Sequence, residues 1–284
     1  YNMKNKRILI TGSTSGIGRA SAKELAKMGA NIVLVSRNEE KLKTQVEELK
    51  KATNNESIDY IQGDLSSLAD IRKVAEIYRN RYTELDVLLN NAGLIVPDHR
   101  TTTDGYEYTF ALNHLGYFLL TGLLLDLLKK SSTARIVSVS SSAHKAGKIN
   151  FNDINFEKGY NSFAAYSQSK LANVLFTYEL AEKLKNTNIT VNCLHPGVVN
   201  TNFGNDYKGG LKLIMSMLKP LLITADKGAE TSIFLASSPK VDGISGQFFA
   251  KKRASKSSSL SHDKTIAKKL WELSEKMCDF KYSF

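Results

Sequence analysis

The chain has little cysteine, little proline and no long apolar run, and each shortage excludes something. Two of its 284 residues are cysteine, Cys193 and Cys278, too few for a disulfide framework or a thiolate metal centre. Cys193 lies in the apolar run Ile189 to Leu194 and reads as a small core residue. No stretch approaches the ~18 apolar residues of a membrane span, and a strand-like run begins within a few residues of Tyr1. Neither a transmembrane helix nor a secretory signal peptide is therefore expected, and a cytoplasmic, reducing setting fits. No His/Cys/Asp cluster stands at ligand spacing, so no metal is expected. A G-x-S-x-G nucleophile elbow and a Gly-Lys-Ser/Thr phosphate loop are also missing, which argues against a serine hydrolase and an ATPase.

What is present is ordinary in amount and regular in order. Apolar residues make up 42% and charged residues 24%, enough for a substantial core. Strand-like runs (Arg7 to Ile10, Asn31 to Val35, Ile58 to Ile61, Asp86 to Leu89, Arg135 to Val139, Ile189 to Leu194) alternate with helical patterns. The helical patterns cover Ile17 to Met28, Glu39 to Lys51, Leu68 to Arg79, Thr103 to Lys130, Phe163 to Lys185 and Asp226 to Ser237. Gly246 to Phe249 is a further strand candidate. Continuous Ile/Val/Leu strands separated by helices predict a parallel sheet covered on both faces. The expected fold is thus α/β: a Rossmann-like, doubly wound parallel sheet of about seven strands, in a single domain over residues 3–284. A polar and then Leu/Met-rich stretch at about 198–223 interrupts the rhythm as a lid would. A basic C-terminal helix is expected at about 262–278. Net charge is +11, and residues 251–284 supply +5 of it. Such an excess suits an anionic partner or simply a solvated face; no nucleic-acid module accompanies it.

Between the first strand and the first helix lies Thr11-Gly12-Ser13-Thr14-Ser15-Gly16-Ile17-Gly18. Glycines let a backbone turn tightly and approach a pyrophosphate, and a helix N-terminus offers free N–H groups with a positive dipole end. A dinucleotide site needs this context. After the second strand an NAD enzyme usually carries an acid for the ribose hydroxyls. Here stands Val35-Ser36-Arg37-Asn38. A guanidinium at that place suits a 2′-phosphate, so NADP(H) is predicted over NAD(H), with Arg19 adding to the positive field.

Tyr166 and Lys170 stand at i, i+4 in a helical run, one turn apart on one face. An ammonium beside a phenol favours the phenolate and would lower its pKa from ~10 toward acid–base use.

Taken in order, these motifs resemble the short-chain dehydrogenase/reductase family over nearly the whole chain, and within it the retinol dehydrogenase-type reductases. The resemblance rests on the glycine loop, Gly63-Asp64-Leu65, Asn90-Asn91-Ala92-Gly93, Asn113-His114-Leu115-Gly116, Ser140-Ser141-Ser142, Tyr166 with Lys170, and His195-Pro196-Gly197. It implies a catalytic quartet of Asn113, Ser141, Tyr166 and Lys170. Tyr166 would give or take the proton, Ser141 hold the substrate oxygen, Lys170 tune the phenol and bind the nicotinamide ribose, and Asn113 fix a water. It assigns cofactor contacts to Gly12, Ser13, Thr14, Ser15, Gly16, Ile17, Gly18, Asp64, Leu65, Asn91, Ala92, Gly93, Pro196, Gly197, Val199 and Thr201, with Tyr166 and Lys170. Ser141, Tyr166, His144 and Phe203 would meet a lipophilic carbonyl or alcohol of retinal-, steroid- or alkyl-aldehyde-like shape. His114 and His195 are read as structural. The resemblance further implies a homodimer or homotetramer. Lid and basic tail together would suit an anionic membrane surface. A non-catalytic NADP(H)-binding sensor on the same fold is the alternative.

Overall fold

The computed structural model describes residues 1–198 and 223–284. The expected lid falls almost wholly on 199–222, outside the described residues, as do the cofactor candidates Val199 and Thr201 and the substrate candidate Phe203.

One sheet of eight strands runs in the order β3-β2-β1-β4-β5-β6-β7-β8. Its strands are β1 (Arg7–Thr11), β2 (Asn31–Ser36), β3 (Ile58–Gln62), β4 (Val87–Asn90), β5 (Ala134–Val139), β6 (Ile189–His195), β7 (Gln247–Ala250) and β8 (Arg253–Ala254). All neighbours pair in parallel except β7 with β8. About seven strands were expected; the eighth is a two-residue antiparallel return after β7, too short to leave a periodic pattern.

Side chains alternate across each strand, and the core divides accordingly. Ile8, Ile10, Ile32 and Leu34 face helices α1 (Gly16–Lys27) and α2 (Glu39–Thr53) and the helix Ala225–Ser237. Leu9, Val33 and Val35 face α3 (Leu68–Arg81), the central helices and α7 (Ser162–Lys183). Ile8, Leu9 and Ile10 are all fully buried, each stabilising by about 1.5–3 kcal/mol. That two-sided burial is why the strands read as unbroken apolar runs.

Helix ends follow their side chains. Asn38 Oδ1 accepts from the Lys41 N–H at 2.9 Å to start α2, and Ser67 Oγ does the same for α3. The C-terminal helix Lys264–Cys278 is capped by Asp263, whose carboxylate accepts two backbone N–H groups. Among the described residues no helix is long and apolar enough to cross a membrane.

One helix differs from its expected form. Thr103 to Lys130 is not continuous: α4 (Tyr108–Phe110) passes into a π turn (Ala111–Leu115), then α5 (Gly116–Leu123) and α6 (Leu125–Lys130). Helix starts at 108 because the buried Glu107 carboxylate accepts from the N–H groups of Thr109 and Phe110 at 2.8 and 2.7 Å. The break at Leu124 comes two residues after Gly122, onto which Phe280 and Tyr282 of the chain's tail pack so closely that a Cβ there would lie 2.3 Å from Phe280.

Candidate active site

A cleft of about 490 Å³ opens at the C-terminal ends of β1, β2, β4, β5 and β6. It lies where the strand order reverses between β1 and β4, the place where doubly wound sheets bind their ligands.

The loop from β1 to α1 forms one wall. Gly12 and Gly16 take φ values of +63° and +50°, which L side chains rarely adopt. Gly18 is needed for a different reason: a Cβ on it would sit 2.2 Å from the Gly12 carbonyl oxygen. The Asn91 amide donates to the carbonyls of Thr11 and Gly12, and Thr11 Oγ1 accepts from the N–H groups of Asn91 and Ala92. Loop and β4 end are thereby buckled together. Ser15, at the N-cap of α1, makes no side-chain cap bond, and the first turn holds no acid. The leading N–H groups and positive dipole end thus fit a pyrophosphate. Of the predicted loop contacts, Gly12, Thr14, Ser15, Gly16 and Ile17 line the cleft. Ser13 and Gly18 are corrected to supporting positions: Ser13 Oγ is buried against the Val35 carbonyl, and Gly18 packs on Gly12.

At one end of the cleft stand Ser36, Arg37, Gly63 and Leu65. Arg37 is exposed and donates to the Tyr108 hydroxyl at 2.8 Å. The Asp64 carboxylate accepts from the Ser66 N–H and hydroxyl at 2.9 and 2.7 Å, which fixes the turn presenting Gly63 and Leu65. Arg19 is corrected: it pairs with Glu48 at 2.5 Å on the open surface and does not line the cleft.

At the other end the quartet converges. Ser141 follows β5, Tyr166 and Lys170 project from α7, and Asn113 sits in the π turn. Tyr166 and Ser141 line the cleft together, close enough for the serine hydroxyl to favour the phenolate. Lys170 Nζ donates to the Val139 carbonyl at 3.0 Å and lies 5.5 Å from the Tyr166 ring centroid. The Asn113 side chain accepts from the Leu94 N–H at 2.9 Å and donates to the Leu94 carbonyl and to Ser169 Oγ. Asn113 therefore clamps the backbone leaving Gly93. A Cβ on Gly93 would lie 3.1 Å from Asn113 Oδ1 and 3.3 Å from Lys170 Nζ, so this residue is bare where the two groups need room.

Burial governs titration here. It pushes the Lys170 ammonium down to about 7. It also holds the Tyr166 phenol above its usual value, partly offset by the Ser141 hydroxyl. The expected lowering of the tyrosine by its lysine is thus reversed: desolvating the phenolate outweighs the attraction of an ammonium that is itself half discharged near neutrality.

The histidines are not at the cleft surface. His144, expected to meet substrate, is fully buried; its Nδ1 lies 2.6 Å from the Ser141 carbonyl and its Nε2 accepts from the Ser258 N–H at 3.1 Å. It braces the backbone of Ser141. His195 Nδ1 accepts from the Ser142 N–H, and His114 Nε2 bonds Ser274 Oγ. Lining residues with no advance signal are Leu94, Ile95, Pro97, Leu112 and Val139. The apolar run after Gly93 was the one available hint, since such a segment beside a glycine-rich wall has a cleft to face.

The family described as short chain dehydrogenase matches residues 6–210. Human retinol dehydrogenase 14 is 43% identical, over 97% of this chain and 87% of its own. Human polyprenol dehydrogenase is 38% identical, over 95% and 84%. A short chain dehydrogenase from Escherichia coli, solved in complex with NADPH, superposes with a TM-score of 0.68 at 26% identity, covering 87% of this chain and 97% of its own.

Proposed function

We propose, from the premise that the chain belongs to the short-chain dehydrogenase family of oxidoreductases, that it exchanges a hydride between NADP(H) and a lipophilic alcohol or carbonyl, with Tyr166 as general acid/base. The observation that carries this reading is that Ser141, Tyr166 and buried Lys170 line the same cleft as the glycine loop.

The nicotinamide, when bound, supplies or accepts the hydride. This chain's residues do the rest. Ser141 and Tyr166 aim two hydroxyls at one point, where the oxygen of a carbonyl would sit as charge develops on it. In reduction the Tyr166 O–H passes its proton to that oxygen; in oxidation the phenolate takes it back. Lys170, held by Val139, stabilises the phenolate when protonated, and its value of about 7 lets it gain or lose a proton near neutrality. Asn113 keeps Gly93 and Leu94 where Lys170 needs them.

NADP(H) is supported by Arg37 at the end of β2 with no acid beside it in the cleft lining, and by the NADPH complex of the E. coli relative. The lipophilic substrate is supported by the apolar lining Leu94, Ile95, Pro97 and Val139. The names of two relatives, a retinol dehydrogenase and a polyprenol dehydrogenase, point the same way. Oxidation of NADPH against a panel of lipophilic aldehydes and ketones tests the proposal; binding of cofactor with no turnover of any member would overturn it in favour of a sensor.

A further inference from the structure

Arg37 is a long, exposed side chain, and such a side chain ordinarily samples many rotamers before it meets an anion. Here it is tied. Its Nη1 donates to the Tyr108 hydroxyl at 2.8 Å, across 71 residues of chain. Its backbone carbonyl accepts from Gln62 Nε2 at 3.1 Å. Tyr108 is itself a rigid post. It opens α4, the buried carboxylate of Glu107 caps the following N–H groups, and Asn155 Oδ1 accepts from the Glu107 N–H at 3.0 Å. In accepting from Arg37, the Tyr108 oxygen leaves its own hydrogen available, and Arg37 keeps further N–H donors. Thr14 and Ser36 add two hydroxyls to the same end of the cleft, 3.1 Å apart.

We propose that Tyr108 is a specificity-determining positioning residue: it holds the Arg37 guanidinium in place for the 2′-phosphate of NADP(H). The proposal rests on the cofactor reading above and adds a residue that the sequence pattern did not single out. A guanidinium already anchored loses less freedom on meeting phosphate. The hydroxyl therefore favours the phosphorylated cofactor and is indifferent to one with a free ribose.

Tyr108→Phe keeps the half-exposed ring and removes the hydroxyl. Titration calorimetry with NADP⁺ and NAD⁺ is the test. The Kd for NADP⁺ is expected to rise about fivefold, the scale of one ordinary hydrogen bond, with the Kd for NAD⁺ held within twofold. In an Arg37→Ala background, Tyr108→Phe should change neither. An equal loss for both cofactors, an unchanged or tighter NADP⁺ complex, or a loss that persists without Arg37 would overturn the role of Tyr108 alone. A wild-type protein that binds NAD⁺ as tightly as NADP⁺ would overturn the cofactor reading, and this proposal with it.

Discussion

The two ends of the cleft do different work by different physics. At the Arg37 end the groups are exposed, their partners are hydroxyls and backbone, and salt screens what charge they carry. At the Tyr166 end Lys170 and Asn113 are buried, every bond is counted against desolvation, and pKa values move. On the proposed reading, recognition falls to screened contacts at the first end and proton transfer to a dry corner at the second.

That contrast can be attacked at several points. Tyr166→Phe should lower kcat by about 10²–10⁴-fold, the range for removing a general acid, while the Kd for NADP⁺ stays near wild type; a variant with native kcat would remove the distinction. Gly18→Ala puts a Cβ 2.2 Å from the Gly12 carbonyl and 2.5 Å from Asn91 Nδ2, both wedged in backbone packing. It should cost about 2 kcal/mol or more in unfolding free energy and weaken both cofactors alike, since the wall it distorts serves both; chemical denaturation and calorimetry would show this. Arg37→Ala should reduce kcat/KM with NADPH by about tenfold or more, from loss of a charge-assisted bond, and leave NADH unaffected. A parallel loss with NADH would mean the two ends are not separable.

A further effect concerns pH. Lys170 titrates near 10.5 when unfolded and at about 7 in the fold, so between these values the unfolded chain binds the extra proton and stability rises with pH. The stabilising share is complete above the unfolded value and is lost as pH falls toward 7. Lys170→Met should flatten the rise in melting temperature between pH 7 and pH 9.5. An unchanged slope would show that burial does not govern this end.

Where the sequence was readable, one local rule sufficed. Strands such as Ile8 to Ile10 announced themselves because both faces are buried. The four residues that the family resemblance named are brought to one corner by the fold. What escaped notice depends on partners far along the chain. The helix through Leu119 to Leu128 looked continuous, but it breaks at Leu124, just past the Gly122 on which Phe280 and Tyr282 pack. His144 looked available to substrate until Ser258, 114 residues on, was found bonded to it. Tyr108 gave no signal at all; only its reach to Arg37 makes it more than a surface tyrosine.

The π turn at Ala111–Leu115 carries a consequence for insertions and deletions. It holds one residue more per turn than an α-helix, so deleting a single residue there would leave a well-formed helix. The flanking helices would keep their phase, because the turn absorbs its extra residue within one circuit. The bulge itself would be lost, and with it the place from which the Asn113 side chain holds Leu94 and Ser169. A relative one residue shorter at this turn would differ in that clamp while the rest of its helix stays in register.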